Sequence, residues 1–153
     1  MEQTLIILKP DCVQRGLVGR VIARFEEKGL TISAMKLMQI SRELAERHYA
    51  PHKGKPFYPG LIDYVTSGPV VVMALSGLRA IEVCRGLMGQ TFGYEAEPGT
   101  IRGDFSLGRT YNLVHGSDSP ETAETEIALY FRTDELLDYE PALSKWITKP
   151  NES

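Results

Sequence analysis

The run Val70 to Leu75 is apolar at every position. A strand with one wet face alternates in polarity, whereas a strand covered on both faces has no reason to alternate. This segment therefore reads as a central strand with other layers on each side, and it fixes the kind of fold the rest of the chain must build. Thr4 to Lys9 is a second short β-rich run, closed by the turn signal Pro10-Asp11. Gly19 to Lys28 spaces Val21, Ile22 and Phe25 as a helix does, and Gly29 stops it. Thr31 to Ile40 alternates in part and reads as a strand. Ser41 caps a helix that runs to about Tyr49, before Pro51 ends it. A short helix is expected over Leu61 to Val65. Another spans Arg79 to Met88, through Ile81, Cys84, Leu87 and Met88. A fourth short strand is expected around Tyr111 to Val114. Ser119-Pro120-Glu121 is an N-cap, a proline at the first helical position and an early acid, opening a helix to about Tyr130. Asp134 to Tyr139 reads as one more short helix. From about residue 140 the chain is a tail that Trp146 and Ile147 pin down.

The order of these segments is that of one α+β domain, and 153 residues suffice for a single core. No apolar run approaches the roughly 18 residues that span a bilayer. Met1 leads straight into a strand-like segment without a basic leader, so a cytoplasmic location is expected. Cys12 and Cys84 form no paired or zinc-binding spacing. Cys84 falls on an apolar helical stripe, whereas Cys12 sits beside Asp11 in an expected loop, where it could be exposed. A net charge of −3 argues against broad nucleic-acid binding, which needs a basic face.

The chemistry gathers around Asn112 to Asp118. Leu113 and Val114 end a buried segment, His115 follows, Gly116 leaves room for close approach of a ligand, and Ser117-Asp118 supply turn and cap groups. A positioned imidazole, with a free pKa of about 6.5, can act as acid, base or nucleophile. The glycine-rich phosphate motifs are missing, so any bound phosphates would be held by side chains. Lys9, Arg85, Thr91 and Arg102 stand at the expected ends of elements or in the long polar stretch Gly89 to Gly108. Taken singly, each cation reads more readily as a solvated surface charge than as a phosphate ligand. Phe57, in the loop from His52 to Pro59, suits either stacking on a base or anchoring the loop. Glu126 could reach the His115 ring or face solvent beside Glu121 and Glu124, and periodicity does not separate the two. His48 and His52 read as surface residues, divided by Pro51.

Together these segments resemble the nucleoside diphosphate kinase family from about Thr4 to Ile147. The resemblance rests on Lys9-Pro10-Asp11, Val13-Gln14-Arg15-Gly16-Leu17, His48-Tyr49, Pro56-Phe57 with Pro59-Gly60-Leu61, and Ser67-Gly68-Pro69. It continues through Pro98-Gly99-Thr100-Ile101-Arg102-Gly103-Asp104-Phe105, Asn112 followed by His115-Gly116-Ser117-Asp118-Ser119, and Glu126. Each piece is weak alone, and their ordered co-occurrence is specific. The resemblance implies a ferredoxin-like α+β sandwich with a four-stranded antiparallel sheet. It implies ping-pong transfer of a terminal phosphate from nucleoside triphosphate to diphosphate through a phosphohistidine on His115, with broad base specificity. Glu126 would orient His115 with help from Ser117, Lys9 would contact the transferring phosphate and the 3′-hydroxyl region, and Tyr49 would support the site. Arg85, Thr91 and Arg102 would hold phosphates, Phe57 would stack on the base, and Asn112 would bond the sugar. Mg2+ would arrive on the phosphates without a protein cage. The chain departs from the family pattern at Thr91 to Glu97, which lacks the usual Asn-Pro or Asp-Pro, and at Arg109, which replaces an aliphatic wall of the base site. The extension past Trp146 resembles that of hexameric members, so a homo-hexamer is expected over a tetramer. A non-catalytic binding protein on the same fold is the competing class.

Overall fold

The computed structural model describes residues 1–152, leaving Ser153 of the expected tail outside the described residues. Four strands are present: β1 (Glu2–Leu8), β2 (Thr31–Met38), β3 (Val70–Gly77) and β4 (Val114–Gly116). They pair antiparallel in the order β2-β3-β1-β4. β3 is buried along its whole length, as its unbroken apolar run requires.

The period of two along β1 and β3 divides the core into two layers. Ile6, Leu8, Met73 and Leu75 face helices α2 (Val18–Glu27) and α5 (Ala80–Met88), meeting Val21, Phe25, Cys84 and Met88. With β1 to β4 these two helices complete the ferredoxin-like βαββαβ order. Leu5, Ile7, Val72 and Ala74 face the opposite way. They are covered by α3 (Arg42–His48) and α4 (Tyr58–Val65), which lie between β2 and β3, and by α7 (Pro120–Tyr130). This second layer carries Ala45, Tyr49, Ile62, Ile127 and Tyr130 to the sheet.

Both expected caps form. Ser41 Oγ accepts from Leu44 N, and Ser119 Oγ accepts from Thr122 N. Several boundaries differ from the sequence reading. Pro10-Asp11 is not a bare turn but the start of α1 (Pro10–Gln14), and it buries Cys12 completely, where exposure was possible. β2 stops at Met38, and α4 begins at Tyr58, ahead of Leu61, with Pro59 in its first turn. The stretch Gly89 to Gly108 holds a 3-10 turn at Gly93–Glu95 and helix α6 (Ile101–Phe105), capped by the Thr100 hydroxyl. β4 lies two to three residues later than expected, because Leu113 takes a left-handed φ of +69° and cannot continue a ladder. Asp134 to Tyr139 is not a helix; a 3-10 turn at Thr133–Glu135 precedes an extended path. In the tail, Trp146 is 77% exposed and pins nothing, whereas Ile147 packs over Gly29. Gly29 has φ +99°, and a Cβ there would sit 2.5 Å from the Ile147 side chain. Among the described residues, no helix is long and apolar enough to cross a membrane.

Candidate active site

The site lies at one end of β1 and β4. β1 ends at Leu8, so Lys9 follows at the mouth of α1 and is buried. β4 pairs His115 with Ile7 of β1, which fixes the ring beside the second layer of helices. From that layer α7 presents Glu126, and α3 presents His48 with Tyr49 immediately after it.

His115 Nε2 lies 2.7 Å from Glu126 Oε1 and 3.0 Å from Oε2. An ionised carboxylate only accepts, so Nε2 carries the proton and donates it. The Nδ1 atom carries no hydrogen bond to the described residues. Ser117 Oγ donates to Glu126 Oε1 at 3.2 Å and itself accepts from Leu5 N at 3.3 Å. The carboxylate is thus anchored to β1 through one hydroxyl. Burial pushes the His115 pKa down to about 4, against the opposing pull of its bond to Glu126. Burial pushes Glu126 up, but the hydrogen bond from His115 and the closeness of the His48 ring outweigh it and hold the carboxyl down at about 2. The resting pair is a neutral imidazole on an ionised carboxylate.

His48 is a correction to the sequence reading: it is buried in the site, not on the surface. Its Nε2 lies 3.2 Å from Glu126 Oε2, and its Nδ1 is 2.7 Å from the Tyr130 hydroxyl. Its ring stacks on Tyr49 at 4.2 Å and meets His115 edge-on at 4.7 Å. A signal for this was present. Ala45, His48 and Tyr49 stand at i, i+3 and i+4, and Ala45 faces the core, so one helical stripe carries all three inward. His52 stays partly exposed, with its Nδ1 3.2 Å from Lys55 Nζ.

Just before the start of β4, Lys9 Nζ donates to Asn112 Oδ1 at 2.8 Å. Burial pushes the Lys9 pKa down to about 7; repulsion from Arg102 adds to this and Asp11 opposes it. Asn112 in turn donates to the Thr91 carbonyl at 3.2 Å. Arg102 is buried and spends three N–H groups on backbone carbonyls: those of Asn112 at 3.1 Å, Gly89 at 3.0 Å and Val114 at 2.6 Å. Of the five donors on a guanidinium, two remain for a ligand. Burial, then repulsion from Arg85, lowers its pKa to about 10. Arg85 is exposed and donates to the Gly116 carbonyl at 3.1 Å.

The remaining residues form a rim. Thr91 is exposed, and Phe57 is 53% exposed with the His52 ring 5.4 Å away. Arg109 lies over the Phe92 ring at 4.5 Å. Gly116 does not open space for a ligand: a Cβ there would lie 2.6 Å from the Met88 sulfur, so its missing side chain serves core packing. Sequence reasoning also missed Tyr64, whose hydroxyl donates to Asp11 Oδ1 and whose ring lies 5.2 Å from Lys9 Nζ. Asp11 Oδ2 accepts from Leu113 N at 3.1 Å and so fixes the strained residue ahead of His115.

A neutral, oriented histidine flanked by buried cations is an arrangement for moving a phosphoryl group. The family model for nucleoside diphosphate kinase matches residues 2–136. The chain belongs to the nucleoside diphosphate kinase family. It is 59% identical over 147 residues to the nucleoside diphosphate kinase of Thermomicrobium roseum, covering 96% of this chain and 99% of that one. It is 57% identical to that of Archaeoglobus fulgidus, covering 96% and 97%. Among solved structures, it superposes with TM-score 0.94 at 47% identity on the halophilic nucleoside diphosphate kinase of Halobacterium salinarum in complex with CDP, covering 97% of this chain and 99% of that one. The nucleoside diphosphate kinase family exchanges a terminal phosphate between nucleoside triphosphates and diphosphates in two half-reactions, with a divalent metal accompanying the nucleotide.

Proposed function

We propose that this chain carries out that exchange with Nδ1 of His115 as the nucleophile. The observation that carries this reading is the pairing of Nε2 with Glu126, which leaves the Nδ1 lone pair as the reactive one. Nδ1 attacks the terminal phosphorus, an N–P bond forms, and the bond to the bridging oxygen breaks, its electron pair leaving on the nucleoside diphosphate. Positive character on the ring is stabilised through Nε2–H by Glu126, which Ser117 holds in place. In the second half-reaction a terminal oxygen of the acceptor diphosphate attacks the phosphohistidine, and the same pair returns to its resting state. One site serves donor and acceptor in turn, as a ping-pong scheme requires.

Lys9 and Arg102 stabilise charge on the transferring group, with Arg85 and Thr91 on the outer phosphates. A partly neutral Lys9 regains its proton as anionic phosphate enters, which matches its charge to the ligand's arrival. Asn112 bonds the sugar and holds Lys9. Tyr49 supports the site by stacking on His48. Phe57 stacks on the base; a ring face admits any base, so broad specificity follows. Arg109, stacked on Phe92, is drawn away from the role of a base wall. The groups facing the phosphates are cations, an amide and a hydroxyl, with Asp11 already engaged by Tyr64 and Leu113. That donor set suits a magnesium ion held by phosphate oxygens rather than by a protein cage.

A homo-hexamer in the cytoplasm completes the proposal. Met35 and Leu37 are exposed on edge strand β2, and Leu107, Tyr111 and Trp146 are exposed elsewhere, giving apolar surface for subunit contacts. Cys12 and Cys84 are both unpaired and buried, in keeping with a reducing compartment.

Incubation with γ-labelled ATP and magnesium tests the chemistry. Acid-labile label should appear on the protein and chase onto any added nucleoside diphosphate. His115→Ala should abolish both label and exchange while keeping the fold. Label that persists on His48 or His52 in that variant would overturn the assignment.

A further inference from the structure

We propose that His48, His115 and Glu126 form a binding site for a zinc-class divalent ion, separate from the magnesium that travels with nucleotide, and that filling it switches phosphoryl transfer off. Among the described residues, these three are the one group whose His, Cys, Asp or Glu donor atoms could close on a metal, all lying within 4.8 Å of one another. Two imidazoles and one carboxylate are the ligand set of open zinc centres, with the fourth position left to water. Imidazole nitrogen suits zinc or copper and not magnesium, so the nucleotide's own cation does not compete for this place.

The donor atoms of the three side chains already converge. Both Nε2 atoms point at the same carboxylate, at 2.7 Å for His115 and 3.2 Å for His48. Donor atoms around a tetrahedral zinc with bonds near 2.0–2.1 Å stand about 3.3 Å apart. Both distances to the carboxylate fall below this spacing, and the three donor atoms, within 4.8 Å of one another, close on an ion through side-chain shifts. A second observation points the same way. His48 Nε2 is fully buried and makes no well-aligned hydrogen bond, although Glu126 Oε2 is within ion-pair reach. A buried polar atom without a partner costs stability, and a metal would satisfy it.

The surroundings already orient the ligands. Tyr130 hydroxyl meets His48 Nδ1 at 2.7 Å, Tyr49 stacks on the same ring, and Ser117 bonds Glu126. Metal-bound histidines use this kind of outer partner to fix ring orientation and tautomer. The Tyr130 hydroxyl can accept from a proton on His48 Nδ1.

The consequence for catalysis follows from proton positions. A metal on Nε2 uses that nitrogen's lone pair, so each neutral ring keeps its single proton on Nδ1. His115 then has no lone pair on Nδ1 to attack phosphorus. No proton is lost or gained overall, no bond to phosphorus forms, and removal of the ion restores the resting tautomer. The binding site itself stands on geometry; its inhibitory effect rests on His115 being the nucleophile.

The test begins with nucleotide-free protein. Calorimetric titration with Zn2+ should show one site per chain, and Co2+ should give the intense visible bands of a tetrahedral centre. His48→Gln should weaken zinc binding at least about 100-fold, whereas His52→Gln should leave it unchanged. Binding unaffected by His48→Gln, or lost in His52→Gln, would overturn the site. Should His48→Gln fail to fold, Glu126→Gln takes its place, and weak octahedral cobalt bands in the wild type would overturn the site by themselves. Preloading with Zn2+ should then slow labelling by magnesium-ATP at least tenfold, with a chelator restoring it. Binding without this loss would overturn the switch. Absence of labelling before any zinc is added would instead overturn the assignment of His115, and leaves the binding result standing.

Discussion

The floor and the rim of the site are built on different principles. On the floor, Lys9, Arg102, Asn112, Ser117, His48 and Glu126 are all buried, and each is tied to a neighbour by named hydrogen bonds or an ion pair. At the rim, Phe57, Arg85 and Thr91 are exposed, and Arg85 keeps one bond to a backbone carbonyl. Charge stabilisation in phosphoryl transfer depends on groups that need not reorganise when the reaction occurs, and burial with satisfied bonds supplies that. Recognition of many bases asks for the opposite: a face that accepts different partners without a fixed edge to match. On the proposed mechanism, this chain would spend its rigid, buried contacts on chemistry and leave base binding to an adaptable surface.

The Glu126 series probes the floor most severely. Glu126→Gln keeps a carbonyl acceptor for Nε2–H and loses the charge; Glu126→Ala loses both. Rates of phosphoenzyme formation should fall in the order wild type, Gln, Ala, with a total loss of roughly ten- to a thousand-fold and little change in nucleotide affinity. Rapid-quench labelling measures this, and an Ala variant as fast as wild type would remove Glu126 from the mechanism.

Arg102 against Arg85 is the next contrast. Arg102→Ala strands the carbonyls of Asn112, Gly89 and Val114 in a buried setting, and should lower unfolding free energy by on the order of 3 kcal/mol. Arg85→Ala removes an exposed side chain and should stay within about 0.5 kcal/mol. Urea denaturation of both variants reads the difference, and equal midpoints would erase the distinction between floor and rim.

Phe57→Ala tests the rim directly. Binding of every nucleotide should weaken by a similar factor, about 1–3 kcal/mol by the usual worth of base stacking. A loss confined to one base would reveal a group that reads base edges.

The smallest effect concerns pH. The folded pKa of His115, about 4, lies below its unfolded value of about 6.5. Between those values the unfolded chain binds more protons, so stability from the neutral ring is present above about 6.5 and drains away as pH falls toward 4. Glu126, held near 2, remains ionised through most of this window. Between pH 7.5 and 5, wild-type Tm should drop by a few degrees more than that of His115→Ala, measured by calorimetry. Parallel curves would place the ring's proton elsewhere.

Much of the frame was legible in residue order. The unbroken run at Val70 to Leu75, the Ser41 and Ser119 caps and the helical stripes of α2 and α5 follow from local rules, and the structure keeps them. Hidden features depended on long-range contacts. Leu113 turns left-handed because Asp11, far away in sequence, takes its N–H. Cys12 is buried because Pro10-Asp11 starts a helix rather than a turn. His48 was misread because a proline after it suggested an exposed end, while the Ala45 stripe already pointed it inward.

What the sequence by itself determined is the order of the main strands and longer helices, the central strand and most, but not all, of the chemical groups near His115, with His48 and Tyr64 outside that reading. Period and capping are local properties, written in neighbouring residues. What only the tertiary structure decided is which of those groups meet. Glu126 is eleven residues from His115, and His48 comes from a helix far away in sequence on the same face of the sheet, yet one carboxylate lies beside both rings. Lys9 and Asn112 meet because β1 and β4 run side by side. Sheet pairing and the packing of α3 and α7 against a single face bring distant residues within bonding distance. No spacing along the chain encodes that distance.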